Sequence, residues 1–159
     1  MKSNQKILLK RIRLKNSMKN NLIKPLRGII PPMVTPLIDN DRLDINGLEK
    51  LIEHIIAGNV NGIFVLGTTG EAPSLNYPLR YELIERVTKQ VAKRLPVFIG
   101  ITDTSCRESL KIAEFSAKNN VDAVVLAPPY YFPAGQTELL EYIEHLAPNS
   151  PLPLLLYNM

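Results

Sequence analysis

Two glycines and two threonines lie directly after a short apolar segment, where they could bind a small anion. In the stretch GTTGEAPSL, Gly67–Leu75, the glycines Gly67 and Gly70 allow the backbone to approach a ligand closely. Between them, Thr68 and Thr69 supply two hydroxyls, and neighbouring backbone N–H groups can hold a carboxylate. The same residues also suit a plain strand-to-helix turn, with glycine for its geometry and threonine for capping. Both interpretations stay open from the residues alone.

Tyrosines provide a second set of hydroxyls, again placed where apolar segments end. Tyr130 and Tyr131 lie in APPYYFPAGQTELL, whose prolines stiffen the chain, and Tyr157 ends the apolar stretch PLLLY. A tyrosine hydroxyl can relay a proton, but its usual pKa near 10 means that it needs a partner group near neutral pH. Tyr130 and Tyr131 would also serve as amphipathic anchors at a subunit interface. The sequence therefore allows proton relay, subunit contact, or one tyrosine for each.

Composition excludes several other kinds of site. Because Cys106 is the only cysteine among the 159 residues, no internal disulfide can form, and a free thiol fits a reducing compartment such as the cytoplasm. The two histidines, His54 and His145, lie far apart with no cysteine pair nearby, so no metal-ligand spacing is present. No apolar run approaches the length that spans a membrane.

The first 24 residues differ in charge from the rest of the chain. They hold eight basic side chains and no acidic one, and subtracting those eight charges from the net charge of +4 leaves −4 for residues 25–159. We interpret residues 1–24 as a disordered basic extension, or as an upstream addition if translation begins at Met18. Such an arm could contact nucleic acid or a membrane surface. It lacks interleaved aromatic residues and adjoins an acidic body, so we predict neither partner.

Five apolar runs, each leading into the next through polar turns and a helical pattern, must position these candidates. The runs are continuous rather than alternating, as in parallel strands that are covered on both faces. They begin at Gly28, Gly62, Pro96, Asp122 and Pro153. Between them, apolar residues recur at helical spacing. The four helices are predicted to begin near Asp44, Pro78, Thr104 or Ser105, and Thr137. The last two are expected to bury Leu110, Ala113 and Ala117, and Leu140, Ile143 and Ala147.

A strictly alternating β/α chain suits either an open doubly wound sheet or a (β/α)8 barrel. The open sheet usually carries a glycine-rich phosphate loop after its first strand, and this sequence has none there. Polar residues instead follow the carboxyl ends of several runs, where a barrel keeps its site. The sequence therefore predicts an α/β fold of the TIM-barrel type, of which residues 25–159 supply about five of the eight βα units.

Three ordered motifs, GTTGE, PPYYFP and the final YN, together with PPMVTP upstream, resemble those of the dihydrodipicolinate synthase / N-acetylneuraminate lyase family. The resemblance covers about residues 27–159. It implies a (β/α)8 barrel that condenses pyruvate with an aldehyde, or cleaves such an adduct, through a lysine Schiff base. It also implies small-molecule substrates, a homo-oligomer (dimer or tetramer), no cofactor and no metal.

The resemblance assigns roles to individual residues. Thr68 matches the family's proton-relay threonine, and Thr69 matches the threonine that binds the pyruvate carboxylate with the help of the turn's backbone. Tyr157 matches the tyrosine that hydrogen-bonds the Schiff-base region and shuttles protons. Tyr131 resembles the tyrosine that reaches into the neighbouring subunit's site, and Tyr130 would pack at that dimer contact.

The resemblance leaves the second substrate open and places the lysine outside the chain. Condensation with aspartate semialdehyde, a step of lysine biosynthesis, is the first candidate. However, GITDTSCRES stands where that branch usually has a Gly-Ser-Asn-like turn, so a sugar-acid aldolase and an N-acetylneuraminate lyase remain alternatives. In the family the Schiff-base lysine ends the sixth strand, which would follow Met159. We therefore expect an N-terminal fragment that is inactive alone, with a non-catalytic remnant as the further alternative.

Overall fold

The computed structural model describes residues 25–158, and the prediction for residues 1–24 lies outside them. The strands are β1 (Leu37–Asp39), β2 (Arg42–Leu43), β3 (Ile63–Val65), β4 (Val97–Gly100), β5 (Ala123–Leu126) and β6 (Leu154–Leu156). The helices are α1 (Ile45–Ala57), α2 (Tyr77–Val91), α3 (Cys106–Lys118) and α4 (Gln136–Asn149), with a short 3₁₀ helix at Ala72–Ser74. From β3 onward, strand and helix alternate, which confirms the predicted pattern.

Strands β3 to β6 form one parallel sheet in which each strand pairs with the next strand along the chain. This order never reverses, whereas a doubly wound sheet reverses its strand order at the point where it binds ligands. The helices follow the same order, since α1 contacts α2, α2 contacts α3 and α3 contacts α4. These are consecutive βα units of a barrel, as the sequence predicted.

The first apolar run pairs with β3 without becoming a regular strand. Pro32 makes an isolated parallel bridge to Phe64. The Met33 N–H donates to the Phe64 carbonyl at 2.8 Å, and the Phe64 N–H donates to the Pro31 carbonyl at 3.0 Å. Because Pro31 and Pro32 have no N–H, they interrupt the ladder that a regular strand needs. The run therefore takes the place of the first barrel strand in an irregular form.

A short antiparallel hairpin, which the sequence patterns did not indicate, joins the first run to α1. Leu37 pairs with Leu43, and Asp39 pairs with Arg42, whose guanidinium also donates to the Asp39 carboxylate at 2.7 Å. The two strands are three and two residues long, which is too short for an alternating pattern to show.

Side-chain caps explain where three of the helices begin. Asp44, Asn76 and Ser105 each accept a hydrogen bond from the backbone N–H three residues further on, at the starts of α1, α2 and α3. The starts predicted at Asp44 and Ser105 are confirmed. Helix α2 begins one residue before Pro78, and α4 begins one residue before Thr137.

The buried faces of α3 and α4 match the predicted ones in part: Ala113 is buried, and Leu110 and Ile143 pack against the core. Helix α3 buries Ser109, Ile112, Ala113 and Ser116, so the small serines occupy positions that a hydrophobicity pattern treats as outward-facing. Of the residues predicted for α4, Leu140 is exposed, and Leu146 is the buried side chain instead. In the described part of the chain α4 packs beside α3, which covers it from one side.

Within residues 25–158 one hydrophobic core lies between the sheet and the helices. It joins strand residues such as Ile63 and Ile99 to helix residues such as Leu83 and Ile84. Among the described residues, no helix combines the length and the apolar content that crossing a membrane would require.

Candidate active site

Two adjoining cavities meet near the carboxyl ends of the parallel strands, and one of them extends along the face of the sheet over Phe64, Phe98 and Val125. The tyrosine cavity, of about 300 Å³, has polar side chains from Thr68, Thr102, Tyr130 and Tyr157 in its lining. The threonine cavity, of about 330 Å³, has Thr68, Thr69 and Tyr157. Thr68 and Tyr157 line both cavities and therefore lie at their boundary.

The threonine turn, Gly67–Leu75, owes its shape to packing against the protein. The Gly70 N–H donates to the Gly67 carbonyl at 3.1 Å, and the Thr35 hydroxyl donates to the Gly70 carbonyl at 2.8 Å. A Cβ at Gly67 would lie 2.7 Å from the Phe64 ring, and one at Gly70 would lie 3.0 Å from the Met33 carbonyl. Both glycines are therefore needed for close packing, which is a structural role beside the predicted contact with a ligand.

The threonine turn nevertheless presents its two threonines to the cavities. Thr68 and Thr69 are exposed while the flanking glycines are buried. Gly67 lines the tyrosine cavity, whereas Gly70 lines neither cavity. The residue before the turn, Leu66, is buried with a φ of 59°, a conformation that turns the chain sharply at the end of β3.

Tyr157 reaches the boundary of the cavities from the end of β6. Its N–H donates to the Leu126 carbonyl at 2.9 Å, which continues the pairing of β6 with β5 by one residue. Its ring lies edge-on to Phe64, with 6.4 Å between the ring centroids, and the residue is 43% exposed. Strand pairing and a ring contact thus hold Tyr157 where it lines both cavities.

The tyrosine loop, Pro128–Gly135, separates its two tyrosines. Tyr130 is half-buried and lines the tyrosine cavity, although the resemblance assigned it to a subunit contact. Tyr131 lines neither cavity, is 84% exposed and packs its ring against Phe132 at 4.8 Å. Its φ of 80° is unusual for a bulky residue, and such backbone strain is concentrated at functional sites.

The structure thus brings Thr68, Tyr157 and Tyr130 together, with Thr69 in the adjoining cavity. Tyr131 is not part of this group within one chain. The roles that the resemblance gives to these residues, including a reach of Tyr131 into a neighbouring subunit, stay predictions.

A buried ion pair, which sequence reasoning missed, links helix α2 and the end of the threonine turn to the loop after β4. Arg80 and Asp103 are 5% and 1% exposed, and Arg80 Nη1 donates to Asp103 Oδ2 at 3.0 Å. Arg80 Nε also donates to the Leu75 carbonyl, at the end of the threonine turn, at 3.0 Å. The Tyr77 hydroxyl and the Ser105 N–H donate to the same carboxylate at 3.1 and 3.0 Å. The pair is therefore hydrogen-bonded on both sides, as a buried pair must be.

The only sequence signal for this pair is an aspartate three residues after the end of β4. Its partner is 23 residues away, and no local spacing links the two. The pair has one electrostatic consequence near the site. Burial, followed by the charge of Asp103, raises the pKa of the Tyr77 hydroxyl above its usual value, so Tyr77 stays neutral and donates.

Thr102, also missed, lies in the wall of the tyrosine cavity just after β4. Its hydroxyl oxygen accepts a hydrogen bond from the Ala127 N–H at 2.8 Å, which ties the end of β4 to the start of the tyrosine loop. The signal that could have identified it is its place at the carboxyl end of a parallel strand, where barrel sites are built.

The hydroxyls that line the cavities are groups that can hydrogen-bond a small oxygenated molecule. Within residues 25–158, none of the side chains that line the two cavities is a lysine. An imine with a ketone needs a desolvated amine, and the described residues that line the two cavities offer none.

Comparison of the sequence and the structure with known proteins identifies the family of this chain. The model of the dihydrodipicolinate synthetase family matches residues 25–159. A 4-hydroxy-tetrahydrodipicolinate synthase of Oceanobacillus iheyensis is 35% identical over 131 residues, which are 82% of this chain and 44% of that protein.

Two solved structures are similar in both fold and sequence. The dihydrodipicolinate synthase of Bacteroides thetaiotaomicron is 57% identical with a TM-score of 0.83, over 87% of this chain and 46% of that one. YagE of Escherichia coli K12, a prophage protein solved in complex with pyruvate, is 32% identical with a TM-score of 0.80, over 85% and 45%. The chain thus spans less than half the length of these relatives, and it holds the N-terminal βα units of their TIM-barrel fold. From the family match over 25–159 and from these similarities, this chain belongs to the dihydrodipicolinate synthetase family.

Proposed function

We propose that this chain forms the carboxylate-binding and proton-relay part of a lyase that joins pyruvate to an aldehyde through a Schiff base. The observation that carries the proposal is that Thr68 and Tyr157, which follow β3 and β6, line both cavities at once. A proton can move along neutral hydroxyls placed in series without any one of them holding a charge. The leading candidate activity is that of 4-hydroxy-tetrahydrodipicolinate synthase, with aspartate semialdehyde as the aldehyde.

In this proposal the threonine cavity takes pyruvate and the tyrosine cavity takes the aldehyde. Thr69, with the backbone of the threonine turn, binds the pyruvate carboxylate, and it lines only the threonine cavity. The pyruvate bound to YagE supports this ligand class. Tyr131 completes the relay from a neighbouring subunit of a homo-oligomer, which its exposure at 84% would permit.

The wider assignments belong to the same proposal. We place the barrel domain at residues 25–159, with residues 1–24 as a separate extension, and the enzyme in the cytoplasm, where a free Cys106 is compatible with the redox conditions. The Schiff-base lysine is supplied by the next strand of the barrel after β6. In the family this is the sixth barrel strand, and it follows the YN motif. Residues 1–159 alone should therefore form no imine with pyruvate.

The experiment that tests the proposal adds the remainder of a barrel. Residues 1–159 are fused to the part of the Bacteroides thetaiotaomicron synthase that this chain does not match, and the fusion is treated with pyruvate and sodium borohydride. Mass spectrometry should find one pyruvate adduct per fusion chain and none on residues 1–159 alone. An adduct on the 159-residue chain, or none on the fusion, would overturn the proposal.

A sugar-acid aldolase is a second candidate, favoured by the residues after β4. There GITDTSCRES replaces the Gly-Ser-Asn-like turn of the synthase branch, with Thr102 bonded to Ala127 and Asp103 to Arg80. The similar protein YagE is provisionally named as a 2-dehydro-3-deoxy-D-gluconate aldolase. An N-acetylneuraminate lyase is the remaining alternative. Turnover of the fusion with aspartate semialdehyde, compared with cleavage of 2-dehydro-3-deoxygluconate and of N-acetylneuraminate, separates the three.

A further inference from the structure

The motif PPMVTP, residues 31–36, supplies a hydroxyl to the threonine turn, and the proposed function gives that hydroxyl no role. Thr35 is half-buried and donates its hydroxyl proton to the Gly70 carbonyl at 2.8 Å. Within residues 25–158 this is the only hydrogen bond that the Gly70 carbonyl accepts. A Cβ at Gly70 would lie 3.4 Å from Thr35 Oγ1 and 3.0 Å from the Met33 carbonyl, so the close approach depends on glycine.

Two backbone N–H groups of the threonine turn are free to bind a ligand. The N–H groups of Gly70, Glu71 and Ala72 donate to carbonyls of the turn at 3.1, 3.0 and 3.4 Å. Those of Thr68 and Thr69 donate to no group in the described part of the chain. Both threonines are exposed and line the threonine cavity. Successive free N–H groups of this kind are well suited to a carboxylate.

Thr35 is connected to the free Thr69 N–H through two peptide groups in series. Its hydroxyl donates to the carbonyl of the peptide group between Gly70 and Glu71. The N–H of that same peptide group, on Glu71, donates to the Thr68 carbonyl at 3.0 Å. The Thr68 carbonyl in turn belongs to the peptide group that carries the Thr69 N–H. Because peptide groups are planar and hydrogen bonds in a chain polarise one another, the Thr35 hydroxyl orients the Thr69 N–H and strengthens it as a donor.

The backbone around Thr35 is fixed by contacts outside the threonine turn. Before it, the Met33 N–H donates to the Phe64 carbonyl at 2.8 Å, which ties the first run to β3. After it, the Asp44 N–H donates to the Pro36 carbonyl at 2.9 Å. The hydroxyl therefore acts on the threonine turn from a rigid base, as a group that supports a binding site must.

We propose that Thr35 is a positioning residue that orients the Thr69 N–H for the carboxylate of a ligand in the threonine cavity. The inference rests on the proposed function for the placement of that carboxylate at the threonine turn. Thr35 lines neither cavity, so its effect on the ligand is indirect and passes through the two peptide groups. Its loss should weaken the binding of any small carboxylate there, and not of pyruvate alone.

The test measures ligand binding and amide hydrogen exchange by NMR on the full 159-residue chain, labelled with ¹⁵N. Pyruvate and acetate are the probes, since both carry a carboxylate and only pyruvate carries a ketone. The Thr69 amide signal reports their binding, and the exchange rate of the Glu71 amide reports how firmly the threonine turn is held. In the wild type we expect both probes to shift the Thr69 signal, with pyruvate binding more tightly than acetate.

Three variants separate positioning from a general effect on stability. Thr35→Val keeps the shape without the donor, and it should weaken both probes about 3- to 10-fold and speed exchange at Glu71 by a similar factor, while β4 amides exchange as in the wild type. Thr35→Ser should restore binding. Thr88→Val is the matched control, because it removes a comparable hydroxyl bond, to the Ile84 carbonyl at 2.7 Å on α2, and it should bind both probes like the wild type.

Four results would overturn the inference. Thr35→Val binds both probes like the wild type, it speeds exchange in β4 as much as at Glu71, Thr88→Val weakens binding equally, or neither probe shifts the Thr69 signal of the wild type. A different result would count against the proposed function alone. If acetate binding depends on Thr35 while pyruvate binds no more tightly than acetate, the inference holds and the proposed function fails at recognition of the ketone.

Discussion

The threonine turn and the tyrosine loop both carry hydroxyls to the site, but they are held in very different ways. Hydrogen bonds from Thr35 and Arg80 fix the threonine turn, and its glycines are packed against protein atoms. The tyrosine loop exposes Tyr131 and Phe132, at 84% and 76%, although Tyr131 holds a strained φ of 80°. The first region is shaped by contacts inside the chain. The second keeps a costly conformation that the described contacts do not account for, which fits the proposed contact with a second subunit.

The largest expected effect lies in the hydroxyls that both cavities share. In the fusion enzyme, Thr68→Val and Tyr157→Phe should each lower kcat by roughly 10²–10⁴, because each removes one oxygen from the proposed relay. Thr69→Val should instead raise KM for pyruvate more than it lowers kcat, since holding a carboxylate is largely uniform binding. Steady-state kinetics with Thr104→Val as a control decide the matter. Wild-type kcat in both relay variants would show that the relay assignment is wrong.

The next effect concerns how firmly the threonine turn is anchored. Arg80→Met should lower the free energy of unfolding by about 3–5 kcal/mol, because it leaves the Asp103 carboxylate buried and unpaired. Arg86→Met breaks the exposed pair with Glu82 and should cost at most about 1 kcal/mol. Denaturant unfolding measures both. Equal losses of unfolding free energy in the two variants would mean that the buried pair does not anchor the threonine turn. The threonine turn would then not be held more firmly than the tyrosine loop by this pair.

A smaller effect tests backbone strain by a substitution to glycine, made once in the tyrosine loop and once at the residue before the threonine turn. Tyr131→Gly should raise the free energy of unfolding by about 0.5–1 kcal/mol, since glycine accepts a positive φ and the lost ring is exposed. Leu66→Gly also relieves a positive φ but removes a buried side chain, and it should lower that free energy by about 2 kcal/mol or more. If Tyr131→Gly is destabilising, the tyrosine loop is held by its own contacts after all.

The smallest effect is a pH dependence where α4 meets the loop after β4. The Tyr142 hydroxyl donates to the Asp103 carbonyl at 3.5 Å, and burial raises the pKa of Tyr142 above its usual value. The unfolded chain therefore ionises this tyrosine first, so its contribution is complete below about pH 10 and declines as the pH rises through the folded pKa. Unfolding measured from pH 8 to 11 should show a gentler decline in Tyr142→Phe. The same slope in both proteins would contradict the shift.

The sequence predicted the repeating units well because their signals are local. Continuous apolar runs marked β3 to β6, and the caps Asp44 and Ser105 marked two helix starts. The first run was harder, since Pro31 and Pro32 keep its position in the sheet but remove its hydrogen-bond donors. The buried face of helix α4 was also predicted wrongly at Leu140, which is exposed, whereas Leu146 is buried. The spacing of apolar residues does not reveal which of them a neighbouring element covers.

The site was predictable where it depends on strand ends and not where it depends on pairs distant in sequence. Thr68, Thr69 and Tyr157 follow strands of one parallel sheet, so their meeting follows from the fold. Arg80 and Asp103 come from different βα units, and only the folded chain shows that they pair. Which of the two adjacent tyrosines faces the cavity depends on a φ of 80° at Tyr131, and no residue type announces that conformation.

The two prolines of the first run also make the two edges of the sheet unequal in their ability to pair with a further strand. A strand added to a sheet needs N–H and C=O groups along a free edge, and Pro31 and Pro32 offer half of them at most. At the other edge, β6 presents three leucines in regular strand geometry, with Leu156 exposed. The next strand to join the sheet, whether from the same polypeptide or from a foreign one, should therefore register on β6, and the first run is left for the strand that closes the barrel. Aggregation of the isolated chain would begin at that edge, and a lysine or proline at Leu156 should suppress it first.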